Sequence, residues 1–408
     1  MSIRHNIILV ALFLSGTALG SGFSLYEPSV PSHALGGALV GKAIDASANF
    51  NNPATLTDLT NIVVTVGFVT EHPRGAVRVN GHEFGMDPGF FTLPHFQLAI
   101  PLPADFSFGL SASAEYGLGT EYSWTWPMNW STIETTVQGY VLNPNLAYKI
   151  TDDWSIGIGA RWLFFDFEMN SMPQTAMGSF SSRLKGDNQF RDVGWQIGTK
   201  YDITDEFSVG LVYKSAIDTH VYGSSRTGFM YADNPVVRGN MRAINGDADA
   251  GLRLPQSLSG GFNWDFAKDW HFGAALSWTQ WSVFDSLTFN LNNYKKPIQL
   301  NWHDTWRGSF GLAWDFDEDW TAMLGYVYDM DCTDATQTST MLPAADRHIA
   351  SCGVTWRCWK GLELSLSYSC IFTHGYDMHM KDAFGKFYYM DTCRGFCHAA
   401  GFSVTYRF

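Results

Sequence analysis

The sequence contains few charged residues and no long hydrophobic run. Charged residues make up 16% of the 408 positions, whereas soluble globular domains contain roughly 25%. The longest apolar run, Ile7–Leu14, spans eight residues, and a membrane-spanning helix needs roughly 20. The low charged fraction is unusual for a soluble domain, and the lack of a long apolar run excludes a helical transporter.

Basic residues and low-complexity tracts are also scarce. Lys and Arg total 26 against 39 Asp and Glu, which gives a net charge of −13. This balance argues against nucleic-acid binding, which depends on basic contacts to phosphate. Aromatic residues reach 15% of the chain, unlike the composition of disordered segments. These features leave a large β protein, either soluble or embedded in a membrane.

The first 20 residues have the pattern of a secretory signal peptide. Arg4 supplies a basic start, residues 7–14 form the apolar core, and Ala18-Leu19-Gly20 has small residues at both ends. This arrangement predicts cleavage after Gly20 and export from the cytoplasm.

Most of the chain after residue 60 alternates between apolar and small polar residues. One run continues from Phe106 through Phe108 and Leu110, and another from Trp154 through Ile156. This period of two is typical of a β-strand with two different faces. The pattern predicts fourteen strands, near 61–71, 94–102, 106–117, 139–151, 154–168, 188–203, 206–217, 254–267, 269–282, 302–316, 319–330, 345–359, 361–373 and 396–408.

The predicted connections alternate in length. Six are tight turns, near residues 103–105, 152–153, 204–205, 267–268, 317–318 and 360, and the seven others are long. Short turns at one end and long loops at the other are typical of an outer-membrane barrel. In lipid, a closed barrel also satisfies every backbone polar group. The predicted fold class is therefore all-β, a 14-stranded antiparallel transmembrane β-barrel over residues 61–408.

Aromatic residues mark the predicted strand ends. Trp154, Trp270 and Trp320 each follow a turn directly, and Phe408 ends the last strand. Aromatic girdles of this kind lie at membrane–water boundaries. A soluble β-sandwich could bury the same apolar faces, but it does not explain the alternation of short and long connections. The sequence thus favours the cell outer membrane as the location.

Residues 21–60 do not have the pattern of strands. Small residues dominate from Ala34 to Ala46, and Asn52-Pro53-Ala54 follows. A barrel of fourteen strands is wide enough for an internal plug. We expect this segment to be a hatch in the lumen, the alternative being a periplasmic extension.

Short stretches in a fixed order carry a resemblance to a known family. They include Gly22-Phe23, Asp45-Ala46-Ser47, Asn52-Pro53-Ala54, Pro94-His95-Phe96, the stretch 116–122 (Tyr-Gly-Leu-Gly-Thr-Glu-Tyr), Asn143 to Lys149, Leu254-Pro255, Trp281-Ser282 and Trp302-His303-Asp304. Over most of the mature chain the sequence resembles the FadL-like family of long-chain fatty acid transporters in the outer membrane, which also includes aromatic-hydrocarbon importers. Two departures concern external ligand capture: Met128-Asn129-Trp130-Ser131 replaces the Gly-Arg frequent there, and loop 169–187 is short.

The resemblance implies passive uptake of a hydrophobic ligand. It implies weak capture among the external loops, a tighter lumen pocket, movement of the hatch (including Phe23, Asn52, Pro53 and Ala54) and lateral exit at an inward kink of the third strand. No catalytic group, metal or cofactor is expected. The expected partners are a fatty acid or hydrocarbon and outer-membrane lipid, with the protein as a monomer.

The alternation of inward and outward positions along each strand, called strand parity below, and the composition of the loops predict the ligand-contacting residues. The inward cations are candidates for a fatty-acid carboxylate, with pairing to inward acids such as Asp315 as the alternative: Arg161, Lys200, Lys214, Arg307 and Arg357. Apolar loop residues are candidates for ligand capture, with loop-on-loop packing as the alternative: Met169, Met172, Met177, Phe180, Phe229, Met230, Tyr231, Val236, Val237 and Met241.

Two glycines and the cysteines complete the predictions. Gly117 and Gly119 could permit the third-strand kink, or they could only end the strand. The six cysteines lie in the last fifth of the chain. Cys332, Cys393 and Cys397 fall in loops and could pair in an oxidising compartment, and Cys352 and Cys370 are expected to face lipid.

Two other classes of function fit less well. A general porin for small polar solutes would need no hatch, so residues 21–60 argue against it. An outer-membrane hydrolase is disfavoured because neither Gly-x-Ser-x-Gly nor His-Glu-x-x-His is present.

Overall fold

The computed structural model describes residues 22–86, 89–230, 234–333, 340–341, 345–373, 377–382 and 384–408, without the side chains of residues 229, 378 and 392–394. The predicted signal peptide, Tyr231 and the Cys393 side chain lie outside the described part of the chain. Among the described residues, no helix combines the length and apolar composition needed to cross a bilayer.

Fourteen antiparallel strands form the wall of the molecule. They are β1 Val63–Val79, β2 Phe91–Pro101, β3 Phe106–Glu121, β4 Glu134–Lys149, β5 Trp154–Ser171, β6 Asp192–Thr204, β7 Phe207–Lys214, β8 Ser257–Ala267, β9 Trp270–Thr279, β10 Thr305–Asp317, β11 Trp320–Asp329, β12 Arg347–Trp359, β13 Leu362–Thr373 and β14 Phe387–Arg407. Each pairs with its neighbours in the chain, and β14 pairs with β1 from Arg407↔Val63 to Met390↔Val79. The sheet is therefore closed, and the predicted fold class is confirmed.

The two ends of the barrel differ as the sequence predicts. Tight turns join the strands at one end, called the turn end below, and longer connections leave the other, called the loop end. Tryptophans next to the turns stack across strands on the outside, with ring centroids 5.1 Å apart for Trp270 and Trp314 and 5.4 Å for Trp320 and Trp356. Between the two ends, outward residues such as Leu324 and Leu366 are exposed and apolar, as lipid requires.

Five of the seven predicted long loops contain strands among the described residues, and the sequence analysis did not predict them. Additional strands lie at the loop end, at His82–Met86, Gln174–Thr175, Gly178–Asp187, Ile217–Met230, Gly246–Leu254, Ser286–Leu291, Tyr294–Gln299 and Asp377–Lys381. Gly178–Asp187 pairs with β5 and with Ile217–Met230, which extends the wall beyond the membrane. Outside lipid, such a strand can be polar on both faces, so apolar alternation does not reveal it.

The segment before β1 lies inside the barrel and contains short helices. Among the described residues the helices are α1 Val30–Ala34, α2 Ala48–Asn51, α3 Pro235–Ile244 and the 3-10 turns Pro53–Asp58 and Trp281–Val283. In the lumen, Asn49 Nδ2 donates to the Leu98 carbonyl at 2.9 Å. Arg407 donates to the carbonyl of Ile44 at 2.6 Å. Residues 22–60 are thus held by the inner faces of distant strands.

Inward glycines allow this segment to touch the wall. A Cβ atom added to Gly198 would stand 2.0 Å from Asn52 Oδ1, and one added to Gly210 would stand 2.0 Å from the Val40 carbonyl oxygen. The inward positions of β9 and β11 follow the same rule: Gly273 faces Ala38, and Gly325 faces Ala34. The wall is therefore shaped to the segment that it encloses.

Candidate functional site

The third strand is irregular next to the start of the described chain. The pairing of β3 with β4 shifts between Ala114 and Tyr116, which marks a β-bulge at Glu115. On the lumen side, Leu25 N donates to the Glu115 carbonyl at 2.9 Å, and Gly117 N donates to the Phe23 carbonyl at 2.8 Å. Backbone groups of β3 are therefore satisfied by residues 23–25 instead of by a neighbouring wall strand.

A gap opens between β2 and β3 at the same height. Their pairing stops at His95↔Ser113, while β2 residues 91–94 continue to pair with β1 and β3 continues with β4 to Glu121. A cavity here, called the lateral pocket, encloses about 1030 Å³ of empty space, part of it open to solvent. The Phe91 ring crosses the gap, because a Cβ atom on Gly119 would lie 1.9 Å from it.

An apolar cavity, called the lumen pocket, lies behind this gap. It encloses about 950 Å³ of empty space, part of it open to solvent. Phe23 forms one side and packs at 5.1 Å against the Trp281 ring and at 5.5 Å against the Phe284 ring. The rest of the lining is mainly aromatic and aliphatic, including Val137, Phe165, Phe167, Val221, Leu252, Phe289, Ile298, Leu300 and Trp302.

A larger cavity, called the outer vestibule, occupies the loop end. It encloses about 2410 Å³, part of it open to solvent. The vestibule and the lumen pocket share Leu184, Phe289 and Ile298 as lining residues. The lumen pocket and the lateral pocket in turn share Phe23, Leu118 and Val137. The three cavities therefore lie next to one another, in a series from the loop end to the gap in the wall.

Two lysines line the outer vestibule. Lys381 is exposed and lies 4.9 Å from the centroid of the Phe387 ring, whereas Lys296 is partly buried and has no carboxylate partner among the described residues. Lys296 lies on the external strand Tyr294–Gln299 and lines the vestibule. Burial lowers the pKa of its ammonium group, and no carboxylate among the described residues offsets this effect. An ammonium group in such surroundings is stabilised by an anion from solution. The sequence analysis missed Lys296, because it assigned residues 283–301 to a long loop and considered only cations on the predicted strands.

The cations predicted from parity have protein partners instead. Arg161 is 2% exposed and donates to Glu115 at 2.5 Å, to the Tyr116 hydroxyl at 3.2 Å and to the Ser215 carbonyl at 3.1 Å. This set of bonds fixes the guanidinium at the β3 bulge. As placed here, Arg161 stabilises the bulge and does not present a free cation to the lumen.

The other parity cations hold the segment inside the lumen or sit near the turn end. Lys200 pairs with Asp58, and Lys214 lies 3.2 Å from the Phe50 ring centroid. Arg307 donates to the Gly36 carbonyl at 3.2 Å. Arg357 pairs with Asp315 at 3.2 Å, the pairing that the sequence offered as its alternative. These contacts tie the cations to residues 22–60 or to the barrel wall.

The predicted loop residues divide between packing and exposure. Met172 and Phe180 are 3% and 2% exposed, and Phe180 also lines the vestibule. Met230 and Met241 pack against the cluster of Phe180, Val237 and Ile244. Met177 is 54% exposed. Loop-on-loop packing thus accounts for most of this set, and Phe180 belongs to a cavity wall.

The predicted hatch residues lie at contacts with the barrel. Asn52 donates to the Val40 carbonyl at 2.8 Å and to the Thr199 carbonyl at 3.0 Å. Its Oδ1 accepts from Ala54 N at 3.1 Å and caps the 3-10 turn that starts at Pro53. Phe23 lies where the lumen pocket meets the lateral pocket.

The strand-kink and cysteine expectations have mixed outcomes. The backbone irregularity lies at Glu115, and Gly117 and Gly119 follow it with Leu25 and Phe91 packed over them.

Cys332 and Cys397 are buried free thiols, so they do not pair with each other. Cys352 is exposed on the outer face beside Leu324.

Comparison with known proteins agrees with this architecture. A family model described as outer membrane protein transport protein (OMPP1/FadL/TodX) matches residues 11–408. The chain is 25% identical to a long-chain fatty acid transport protein of Escherichia coli O6:H1, over 99% of this chain and 98% of that protein.

Solved structures share the fold at low sequence identity. A Pseudomonas aeruginosa FadL homologue superposes with a TM-score of 0.81 at 19% identity, over 96% of this chain and 99% of that one. The Pseudomonas putida toluene transporter TodX gives 0.73 at 17% identity, over 95% and 100%. The chain belongs to the OMPP1/FadL/TodX family and is an outer-membrane transporter for hydrophobic compounds.

Proposed function

We propose that this protein takes up long-chain fatty acids by passive diffusion. The ligand enters the outer vestibule, moves into the lumen pocket and leaves through the gap between β2 and β3 toward the membrane. Residues 22–60 close the lumen to polar solutes. The adjacency of the three cavities, which share apolar lining residues, supports this route, since a hydrophobic ligand gains free energy from contact with apolar surface in each cavity.

The observation that favours a fatty acid is Lys296. A neutral hydrocarbon gains nothing from this partly buried ammonium group, whereas a carboxylate forms a charge-assisted hydrogen bond with it. Such bonds contribute about 1.5–3 kcal/mol. The head group would bind in the vestibule while the acyl chain extends past Phe289 and Ile298 into the lumen pocket.

An aromatic hydrocarbon is the second candidate substrate. Its support is the ring-rich lining of the lumen pocket, where Phe23, Phe284 and Trp302 lie within 6.2 Å of one another. Aromatic rings favour offset and edge contacts with a flat ligand. With an aromatic hydrocarbon as the substrate, Lys296 takes no part in binding.

Uptake assays separate the two substrates. Cells that lack their own fatty-acid transporter would express the wild type, Lys296→Gln or Lys295→Gln, a matched change at an exposed neighbour on the same strand. We expect saturable oleate uptake by the wild type, with half-saturation raised about tenfold in Lys296→Gln and unchanged in Lys295→Gln. Toluene uptake should not respond to either substitution.

Other results would reject parts of the proposal. Toluene uptake without oleate uptake would replace the fatty acid with a hydrocarbon. Equal oleate uptake by the wild type and Lys296→Gln would remove the carboxylate site. Passage of a polar sugar through the wild type would mean that residues 22–60 do not close the lumen.

A further inference from the structure

The outer face of the barrel carries a small basic patch at its loop end. Lower on the same strands the outward residues are apolar, for example Phe68 on β1 and Phe402 on β14, which pair with each other. Four positions closer to the loop end on each strand, His72 pairs with His398, and two positions further Arg74 pairs with Phe396. We call Arg74, His72 and His398 the outer basic patch.

The patch lies near the outer boundary of the hydrocarbon region. Arg74 is eleven residues beyond Val63 at the turn end. With a rise of about 3.3 Å per residue and a tilt of about 40°, it stands roughly 28 Å higher. The apolar band of such barrels is about 25 Å tall, so these side chains reach the level of lipid head groups.

Hydrogen bonds orient the patch and leave donors free. Arg74 Nε donates to His72 Nε2 at 2.7 Å, and His72 Nδ1 lies 2.8 Å from the Gly89 carbonyl, to which it donates. Arg74 is exposed, and its terminal N–H groups form no ion pair with an acid among the described residues. Its planar fork suits a phosphate or carboxylate.

His398 adds a second donor to the patch. Cys370 Sγ donates to the Tyr368 hydroxyl at 3.2 Å, and this hydroxyl is hydrogen-bonded to His398 Nδ1. When the hydroxyl donates this bond, the proton of the neutral imidazole is on Nε2. The patch thus combines a guanidinium and an imidazole N–H on adjacent strands.

Other arginines near the loop end have acidic partners. Arg78 lies 3.1 Å from Asp391, Arg183 lies 2.6 Å from Glu168, and Arg253 lies 3.5 Å from Asp218. Arg74 has no such partner in the described part of the chain. In a protein with a net charge of −13, an unneutralised cation at head-group level is complementary to an anionic lipid.

We propose that the outer basic patch binds a phosphate group of the phosphorylated glycolipid, lipid A, in the outer leaflet. The bound lipid stands beside the exit for transported ligand, because the His72 ring stacks at 4.2 Å on Phe90, and Phe90 lines the lateral pocket. The patch is separate from the transport cavities, so this binding does not depend on which ligand is carried.

Native mass spectrometry of the full-length protein in detergent tests the proposal. The probes are bisphosphorylated lipid A and the same lipid A after removal of both phosphates. We expect the wild type to retain the phosphorylated form more tightly. Each basic residue near a membrane surface contributes about 1 kcal/mol, so Arg74→Gln should weaken retention about fivefold. The triple variant Arg74→Gln, His72→Gln, His398→Gln should weaken it further.

A control variant and a folding check accompany these measurements. Arg253→Gln removes an outward arginine that already has an acidic partner and should leave lipid A retention unchanged. Folding of each variant is checked by its heat-dependent mobility in SDS gels. Equal retention of the two lipid A forms by the wild type, or equal loss in Arg74→Gln and Arg253→Gln, would overturn the proposal.

Discussion

At the residue scale, the buried pair Arg161–Glu115 shows how a charge in the lumen can be structural. Both side chains are 5% exposed or less, and Glu115 occupies the bulge whose carbonyl accepts from Leu25. A buried ion pair is weak evidence for net stability, but loss of one partner leaves an uncompensated charge. The pair therefore sets the geometry of the gap in the wall.

Replacement of Arg161 by Met should destabilise the protein by about 3 kcal/mol. The value lies at the low end for buried pairs because Lys214 also interacts electrostatically with Glu115. Urea unfolding in detergent would measure the change. The double variant Arg161→Met, Glu115→Gln should recover most of the loss, and an equal loss in both variants would contradict the pairing argument.

At the element scale, the third strand combines a bulge with an open edge. Gly119 leaves room for the Phe91 ring, which lies across the gap between β2 and β3. A side chain at this position would compete with that ring for the same space. The element therefore offers a direct test of lateral exit.

Gly119→Leu should reduce oleate uptake several-fold while the barrel still folds, because the added side chain fills the gap. Phe91→Ala in the same chain should restore space and part of the uptake. The control is Gly308→Leu, since no atom lies within 4 Å of a Cβ atom at Gly308. Normal uptake by Gly119→Leu would mean that ligand leaves by another path.

Helix α1 provides a second element with a defined contact to the wall. His33 lies 2.8 Å from the Ser367 hydroxyl and 2.9 Å from the Ser369 hydroxyl of β13. Burial, with a smaller effect of His95, lowers the pKa of His33 to about 4. The docked helix therefore favours the neutral imidazole.

Docking of α1 should weaken as the pH falls from about 6.5 toward 4. In this window an exposed His33 takes up a proton while the docked one does not, which costs up to about 1.4 kcal/mol per pH unit. Burial also raises the pKa of Glu27, and this favours docking as the pH falls, opposite to the effect of His33. The contribution of His33 is therefore measured as the difference between the wild type and His33→Asn. Solute leakage should rise more between pH 7.5 and 5 in the wild type than in His33→Asn. The same rise in both would exclude His33 as the cause.

At the scale of the whole molecule, the barrel and its contents fit each other at inward glycines. Gly210 faces the backbone of Val40 at a distance that no side chain could occupy. The barrel wall at this point pairs normally with its neighbours. A change here therefore acts on the enclosed segment more than on the sheet.

Gly210→Val should displace residues 22–60 and raise leakage of arabinose several-fold in a liposome-swelling assay. Gly308→Val, with open space around its Cβ position, should leave leakage at the wild-type level. Both variants should keep the heat-dependent gel mobility of a folded barrel. Unchanged leakage in Gly210→Val would count against closure of the lumen by this segment.

The sequence by itself determined the barrel. Alternation, turn residues and terminal aromatics are local signals, because each strand in lipid must present an apolar face whatever its neighbours are. They predicted fourteen strands and tight turns such as 152–153. The ordered family stretches placed the chain among outer-membrane transporters for hydrophobic compounds.

Only the tertiary structure decided which side chains are available to a ligand. Arg161 and Lys296 are both cations in the sequence, but Arg161 meets Glu115 from another strand, whereas Lys296 meets no carboxylate in the described chain. The gap beside β3 likewise depends on where pairing with β2 ends. These features depend on residues far apart in the chain, and local periodicity carries no information about which of them meet.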